Sequence, residues 1–124
     1  MSYRIQENRL ASTGWAELGA TGLNQSMATD FNTVGLDVLY FDMGALQAVW
    51  VGSDSTDGIL VVQTSLDNVN WCDESGSSIT ITSVAESQMY NITSYGQRYV
   101  RFKWTAGITS AGSINFRSVL KVRK

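Results

Sequence analysis

From residue 36 onward, apolar and polar residues alternate in short runs, each closed by Gly, Ser, Asn or Asp. Residues 98–105 read Arg-Tyr-Val-Arg-Phe-Lys-Trp-Thr. A strand there places Val100, Phe102 and Trp104 on one face and Arg101, Lys103 and Thr105 on the other. Residues 113–123 repeat the arrangement, with Ile114, Phe116, Leu120 and Val122 on one face and Asn115, Arg117, Lys121 and Arg123 opposite. Further strands are predicted over 36–43, 46–51 (after a break at Gly44), 59–64, 78–82 and 89–93, with a short piece at Trp71-Cys72. About eight short strands without an amphipathic helix predict an all-β fold: an antiparallel β-sandwich of jelly-roll or galactose-binding-like type.

Residues 1–35 break the pattern. Leu10, Trp15, Leu18, Leu23 and Met27 are widely spaced among Gly, Ser, Thr, Asn and Gln, at neither a 2-residue nor a 3.6-residue period. We read 1–35 as an extended N-terminal arm and 36–124 as the sandwich domain. Leu10, Trp15, Leu18 and Leu23 are then anchors for a partner protein, with the Trp15 indole the largest of them. The competing reading is a first strand with irregular loops on the domain itself.

Composition narrows the chemistry. At 124 residues, 44% apolar and 16% charged, the chain is one globular domain. It has no histidine and one cysteine. These counts exclude a His-containing triad, a His-ligated or Cys-rich zinc site and an internal disulfide. No Gly-rich phosphate loop opens a helix. Asp54-Ser55-Thr56-Asp57-Gly58 reads as a hairpin turn in preference to a calcium loop. Asp73 and Glu74 are neighbours, so on a strand they point to opposite faces and cannot flank one glycosidic bond. No enzyme activity, metal or cofactor is expected. The longest apolar run, 58–62, is too short to span a membrane, and the first residues lack a signal-peptide core, so cytoplasmic synthesis without membrane attachment is expected.

Charge is split along the chain. All 11 acidic residues lie between Glu7 and Glu86, whereas seven of the nine basic residues lie at 98–124, giving net charges of −9 over 1–97 and +7 over 98–124. One reading is internal pairing of basic late strands with acidic early ones. A second is intermolecular, with Arg117, Lys121 and Arg123 docking on an acidic face of the next copy. A third is nucleic-acid binding by Arg98, Arg101 and Lys103 beside Tyr99 and Trp104. The sequence pI near 4.9 argues against the third.

The run Val61-Val62-Gln63-Thr64-Ser65-Leu66-Asp67-Asn68-Val69-Asn70-Trp71, with Arg98-Tyr99-Val100-Arg101-Phe102 downstream, resembles a recurring β-sandwich signature. Discoidin-like (galactose-binding-like) domains carry it, as do small β-sandwich proteins of tailed-bacteriophage particles, whose ends resemble Ala111-Gly112-Ser113-Ile114-Asn115-Phe116. In the signature a turn reverses the chain and Trp71 folds over the end of the core. Asn68 replaces the usual glycine there and must accept a left-handed conformation. The phage resemblance implies a virion structural protein, made in the host cytoplasm, serving as a capsid decoration or cement, neck or tail component. Its expected partners are other virion proteins and further copies of itself, with a trimer as one form, and neither nucleic acid nor membrane. The discoidin resemblance implies the alternative, a carbohydrate- or host-receptor-binding module in which Tyr90 and Tyr95 stack on a sugar.

Overall fold

In the computed structural model, which describes residues 3–6, 24–38, 43–92 and 98–123, the alternating runs form two antiparallel sheets. The strands are β1 (Tyr3–Gln6), β2 (Gln25–Ser26), β3 (Phe31–Asn32), β4 (Leu36–Asp37), β5 (Met43–Val51), β6 (Gly58–Ser65), β7 (Cys72–Asp73), β8 (Ile79–Ile81), β9 (Glu86–Ile92), β10 (Tyr99–Thr105) and β11 (Ser113–Arg123). The first sheet runs β1-β11-β5-β9, with β2 also on β11. The second runs β3-β10-β6-β7, with β4 also on β10 and β8 on β6. When β1/β2, β3/β4 and β7/β8 each count as one interrupted strand, the order is 1-8-3-6 in one sheet and 2-7-4-5 in the other. That is the jelly-roll order, and the predicted sandwich is the observed one.

Strand alternation builds the core between the sheets. Leu46, Ala48 and Trp50 of β5 and Ile114 and Phe116 of β11 face Leu60 and Val62 of β6 and Val100, Phe102 and Trp104 of β10, all buried. Phe116 joins the layers. It stacks on Phe102 at 4.6 Å and receives Phe31 edge-on at 5.9 Å. Ser118, the next inward position of β11 after Phe116, is also buried.

Three local expectations change. Gly44 does not break a strand, because β5 is continuous and Gly44 lies opposite both Ile92 and Leu120. Residues 52–57 are not a hairpin turn, since β5 and β6 belong to different sheets and this segment crosses between them. Buried Ser55 stabilises the crossing: its hydroxyl donates to the Ile81 carbonyl at 2.7 Å and accepts the Gly58 amide at 3.1 Å. Trp71 does not close the end of the core. It is only half-buried and lies over Arg101, an outward-facing residue of β10.

The described part of 1–35 is built into both sheets. β1 and β2 pair with β11, and β3 pairs with β10. Met27 is completely buried, and the Thr33 hydroxyl accepts the Phe102 amide at 2.9 Å. Leu10, Trp15, Leu18 and Leu23 lie in 7–23, outside the described residues.

Candidate functional site

The surface is organised by the roles of its carboxylates. Asp54 accepts the Ser110 and Ala111 amides at 2.9 Å each, and also the Ser110 hydroxyl. Asp57 accepts the Ile108 amide at 3.1 Å and Asp30 accepts the Ala106 amide at 2.7 Å. Three aspartates from two segments, Asp30 after β2 and Asp54 and Asp57 in the 52–57 crossing, therefore hold one loop, 106–111, which carries Ile108 at its tip, 77% exposed. At the opposite end of the sandwich Asp67 accepts the Val69 and Asn70 amides at 2.9 and 2.8 Å. Asn68 has the left-handed φ of 61° that the missing glycine required. Its amide side chain packs above Gly35, where a Cβ would meet Asn68 Oδ1 at 2.1 Å. Val69, 75% exposed, tips this loop.

These bonds hold both carboxyl groups below the ordinary aspartate range. For Asp54 the Ser110 hydroxyl is the main cause, followed by the Ser110 and Ala111 amides. For Asp67 the Asn70 and Val69 amides lead. A depressed folded-state pKa adds stability above the unfolded value, and that stability is lost as pH falls through the folded one. The amide resonances of Val69, Asn70, Ser110 and Ala111 are therefore expected to titrate with midpoints below the model-peptide aspartate value of about 3.9. NMR titration checks this, and midpoints at or above that value would contradict the capping role.

The outer face of the second sheet carries a polar ladder. The Trp71 ring lies 4.1 Å from the Arg101 guanidinium, Arg101 Nε donates to Gln63 Oε1 at 2.9 Å, and Gln63 Nε2 donates to Asp73 Oδ1 at 2.9 Å. β10, β6 and β7 bring these together because Arg101, Gln63 and Asp73 share one register row. Arg98 pairs with Asp37 at 3.3 Å and lies over the Tyr99 ring. Trp104 is buried on the other face. Arg98, Arg101 and Trp104 are thus distributed between an ion pair, a stacked ladder and the core, while Lys103 is exposed. Of the residues placed in the charge split, Asp37 forms an ion pair with a basic late residue, whereas Asp30, Asp54, Asp57 and Asp67 accept backbone amides.

The predicted site residues separate. Arg117 is exposed on the outer face of the first sheet, opposite Gln47, while the backbones of Lys121 and Arg123 pair with Ile5 and Tyr3. Tyr90 is half-buried against the core, and burial, then the neighbouring Glu74 carboxylate that accepts its hydroxyl, pushes its pKa up. Tyr95 lies outside the described residues. Asp54 and Asp57, weighed above as calcium ligands, both turn to the 106–111 loop.

Register exposes a feature that periodicity missed. In the β1–β11 pairing every residue pair sums to 126, whereas in β2–β11 every pair sums to 139. Residues 7–23 therefore hold thirteen residues more than continuous pairing along β11 would use. Gln6 lies opposite Leu120, and the Asn24 amide donates to Asn115 Oδ1 at 2.8 Å. β1 and β2, which flank the segment containing Leu10, Trp15, Leu18 and Leu23 in sequence, thus pair with the same strand.

No family model matches the sequence, and no curated protein matches it. Among solved structures, the chain is similar to the SPBc2 prophage-derived protein YomS, with a TM-score of 0.52 and 15% identity over 78% of this chain and 86% of that one. At that identity the likeness is one of fold.

Proposed function

We propose that this protein is a non-enzymatic virion structural component of a tailed bacteriophage, a capsid decoration or cement, neck or tail protein, made in the host cytoplasm and acting by protein–protein assembly. The observation that carries the reading is the thirteen-residue excess inserted in the first jelly-roll strand, because it concentrates Leu10, Trp15, Leu18 and Leu23 in a segment that the pairing along β11 does not need. Likeness in fold to a prophage-derived protein supports the phage attribution. The loops that cap both ends support the assembly attribution. They present Ile108 and Val69 to solvent on backbones already fixed by aspartates, so a partner that covers them loses little loop entropy. The partners are other virion proteins and further copies of this chain, with neither nucleic acid nor membrane.

The register defines the experiment. Replacing 7–23 by four strand-forming residues restores continuous pairing of β1 and β2 with β11. The variant is expected to keep its cooperative thermal transition and to lose association with phage particles in a sedimentation assay. A folded variant that still co-sediments with particles contradicts the anchor role of Leu10, Trp15, Leu18 and Leu23.

A further inference from the structure

Sheet edges expose unpaired N–H and C=O groups, and proteins commonly blunt them with short strands, prolines, lysines or bulges. Three of the four edges here are assembled from short pieces: β1 and β2 on β11, β3 and β4 on β10, and β7 and β8 on β6. The fourth is different. β9 is an unbroken seven-residue strand paired along its whole length with β5, and its far side has no strand partner among the described residues. It contains no proline, lysine or arginine. Its one carboxylate, Glu86, sits at the end and accepts the Ser83 hydroxyl at 2.8 Å.

We propose that β9 is a self-association edge, at which two copies pair β9 against β9 antiparallel about a two-fold axis through Met89, extending the first sheet across two molecules. This deepens the assembly reading by naming the surface that joins copies, and it does not depend on the phage attribution. Centring the axis on Met89 opposes 88 to 90, 87 to 91 and 86 to 92, so all seven residues pair, which no other centre achieves. Glu86 then falls opposite position 92 and not opposite its own mate, which avoids the like-charge pairing that destabilises antiparallel strands. Met89, 51% exposed on the outer face beside Gln47, meets its counterpart directly. Ser87 falls opposite Asn91, polar against polar. The arrangement is isologous, so it closes at a dimer and does not propagate into fibres. A second copy fits better than a foreign strand because the sequence of β9 is complementary to itself in this register.

A seven-residue edge pairing lies well below the ~1,600 Å² of a standard interface, so the expected dimer is weak and concentration-dependent. Pairing also sets Glu86 of each copy diagonal to Tyr90 of the other, and so near the Glu74 that lies beside that tyrosine. Added salt is therefore expected to tighten the dimer, whereas assembly through the charge split would loosen. Sedimentation equilibrium of the full chain over a concentration series reads both effects. Met89→Lys places two ammonium groups opposite each other at the axis on an already exposed position, and is expected to weaken dimerisation about tenfold or more, with the melting transition retained. In a Cys72→Ser background, Met89→Cys is expected to form a disulfide-linked dimer under mild oxidation, while Thr105→Cys, exposed on the other sheet, is not. The backbone amides of 86–92 that point away from β5 are expected to gain protection from exchange as concentration rises.

A monomer throughout the concentration range overturns the proposal. So does a dimer indifferent to Met89→Lys, or protection in the monomer of the β9 amides that point away from β5, which would mean that the chain covers its own edge. Failure here leaves the particle-association experiment on 7–23 unaffected, and failure of that experiment leaves the dimer measurement unaffected.

Discussion

Deleting residues 1–35 is expected to abolish the cooperative fold, because the deletion removes strands and core as well as the segment read as an arm. It strips β1 and β2 from β11 and β3 from β10, leaving the edge of β11 bare and that of β10 covered by β4 alone. It takes out Met27, fully buried, and Phe31, which packs edge-on against Phe116. Truncations of this size in a core cost about 2–5 kcal/mol each. Several polar groups also lose their partners: the Trp104 indole N–H, which donates to the Met27 carbonyl at 2.9 Å; the Phe102 amide, held by Thr33; and the Ala106 amide, held by Asp30. A buried donor left unsatisfied costs about 1–3 kcal/mol. Together these losses reach or exceed the roughly 5–15 kcal/mol that holds a small domain folded. The expected result is a chain with no sharp thermal transition, no near-ultraviolet dichroism and a tendency to aggregate through the bared edges. A truncated protein that melts cooperatively would show that 36–124 folds alone. The four-residue replacement of 7–23 is the informative companion, since it removes the anchors while keeping every described strand.

Much of the architecture was legible, and the reason is periodicity. Where a strand has one dry and one wet face, as in β10 and the first part of β11, alternation picks out the inward side chains: Val100, Phe102, Trp104, Ile114 and Phe116 are all buried. β6 was legible as a strand but not in its facing, because Val61 and Gln63 on its outer face are buried nearly as well as Leu60 and Val62. Asn68 was legible for a different reason. A turn at that point of the signature needs a left-handed residue, and the sequence offered the non-glycine that tolerates it best. Two-residue strands such as β2, β3 and β4 are too short to show any period, so the first two jelly-roll strands merged with the arm. Non-local contacts were equally invisible. Nothing in the spacing of Asp30, Asp54 and Asp57 announces that all three converge on 106–111, because that meeting depends on which loops the sheets bring to one end. The Trp71–Arg101–Gln63–Asp73 ladder depends on register in the same way, and the signature's expectation that Trp71 covers the core failed for that reason.

Trp104→Ala is expected to be the most damaging single substitution, lowering stability by about 3–5 kcal/mol. The indole is completely buried between the sheets, and its N–H reaches the Met27 carbonyl across the sandwich. The space it occupies is prepared by Gly58 at the start of β6. A Cβ at that position would lie 2.1 Å from Trp104 Cη2 and 2.7 Å from the Ser55 hydroxyl that ties the sheet-to-sheet crossing to Ile81. Gly58→Ala should therefore also destabilise, by about 1–3 kcal/mol, through overpacking and not through loss of contact. The two effects are linked by one ring edge. If Trp104 is first changed to phenylalanine, whose ring is shorter, part of the room needed by the new methyl becomes available. Gly58→Ala is then expected to cost less in the Trp104→Phe background than in the native one, giving a coupling energy in a double-mutant cycle measured by urea denaturation. Strictly additive effects would mean that Gly58 serves the backbone path of the crossing and not the seat of the indole. The Phe substitution carries its own cost, because it leaves the Met27 carbonyl without its donor, so the cycle separates ring volume from the hydrogen bond that ties residue 27 to the strand that closes over it.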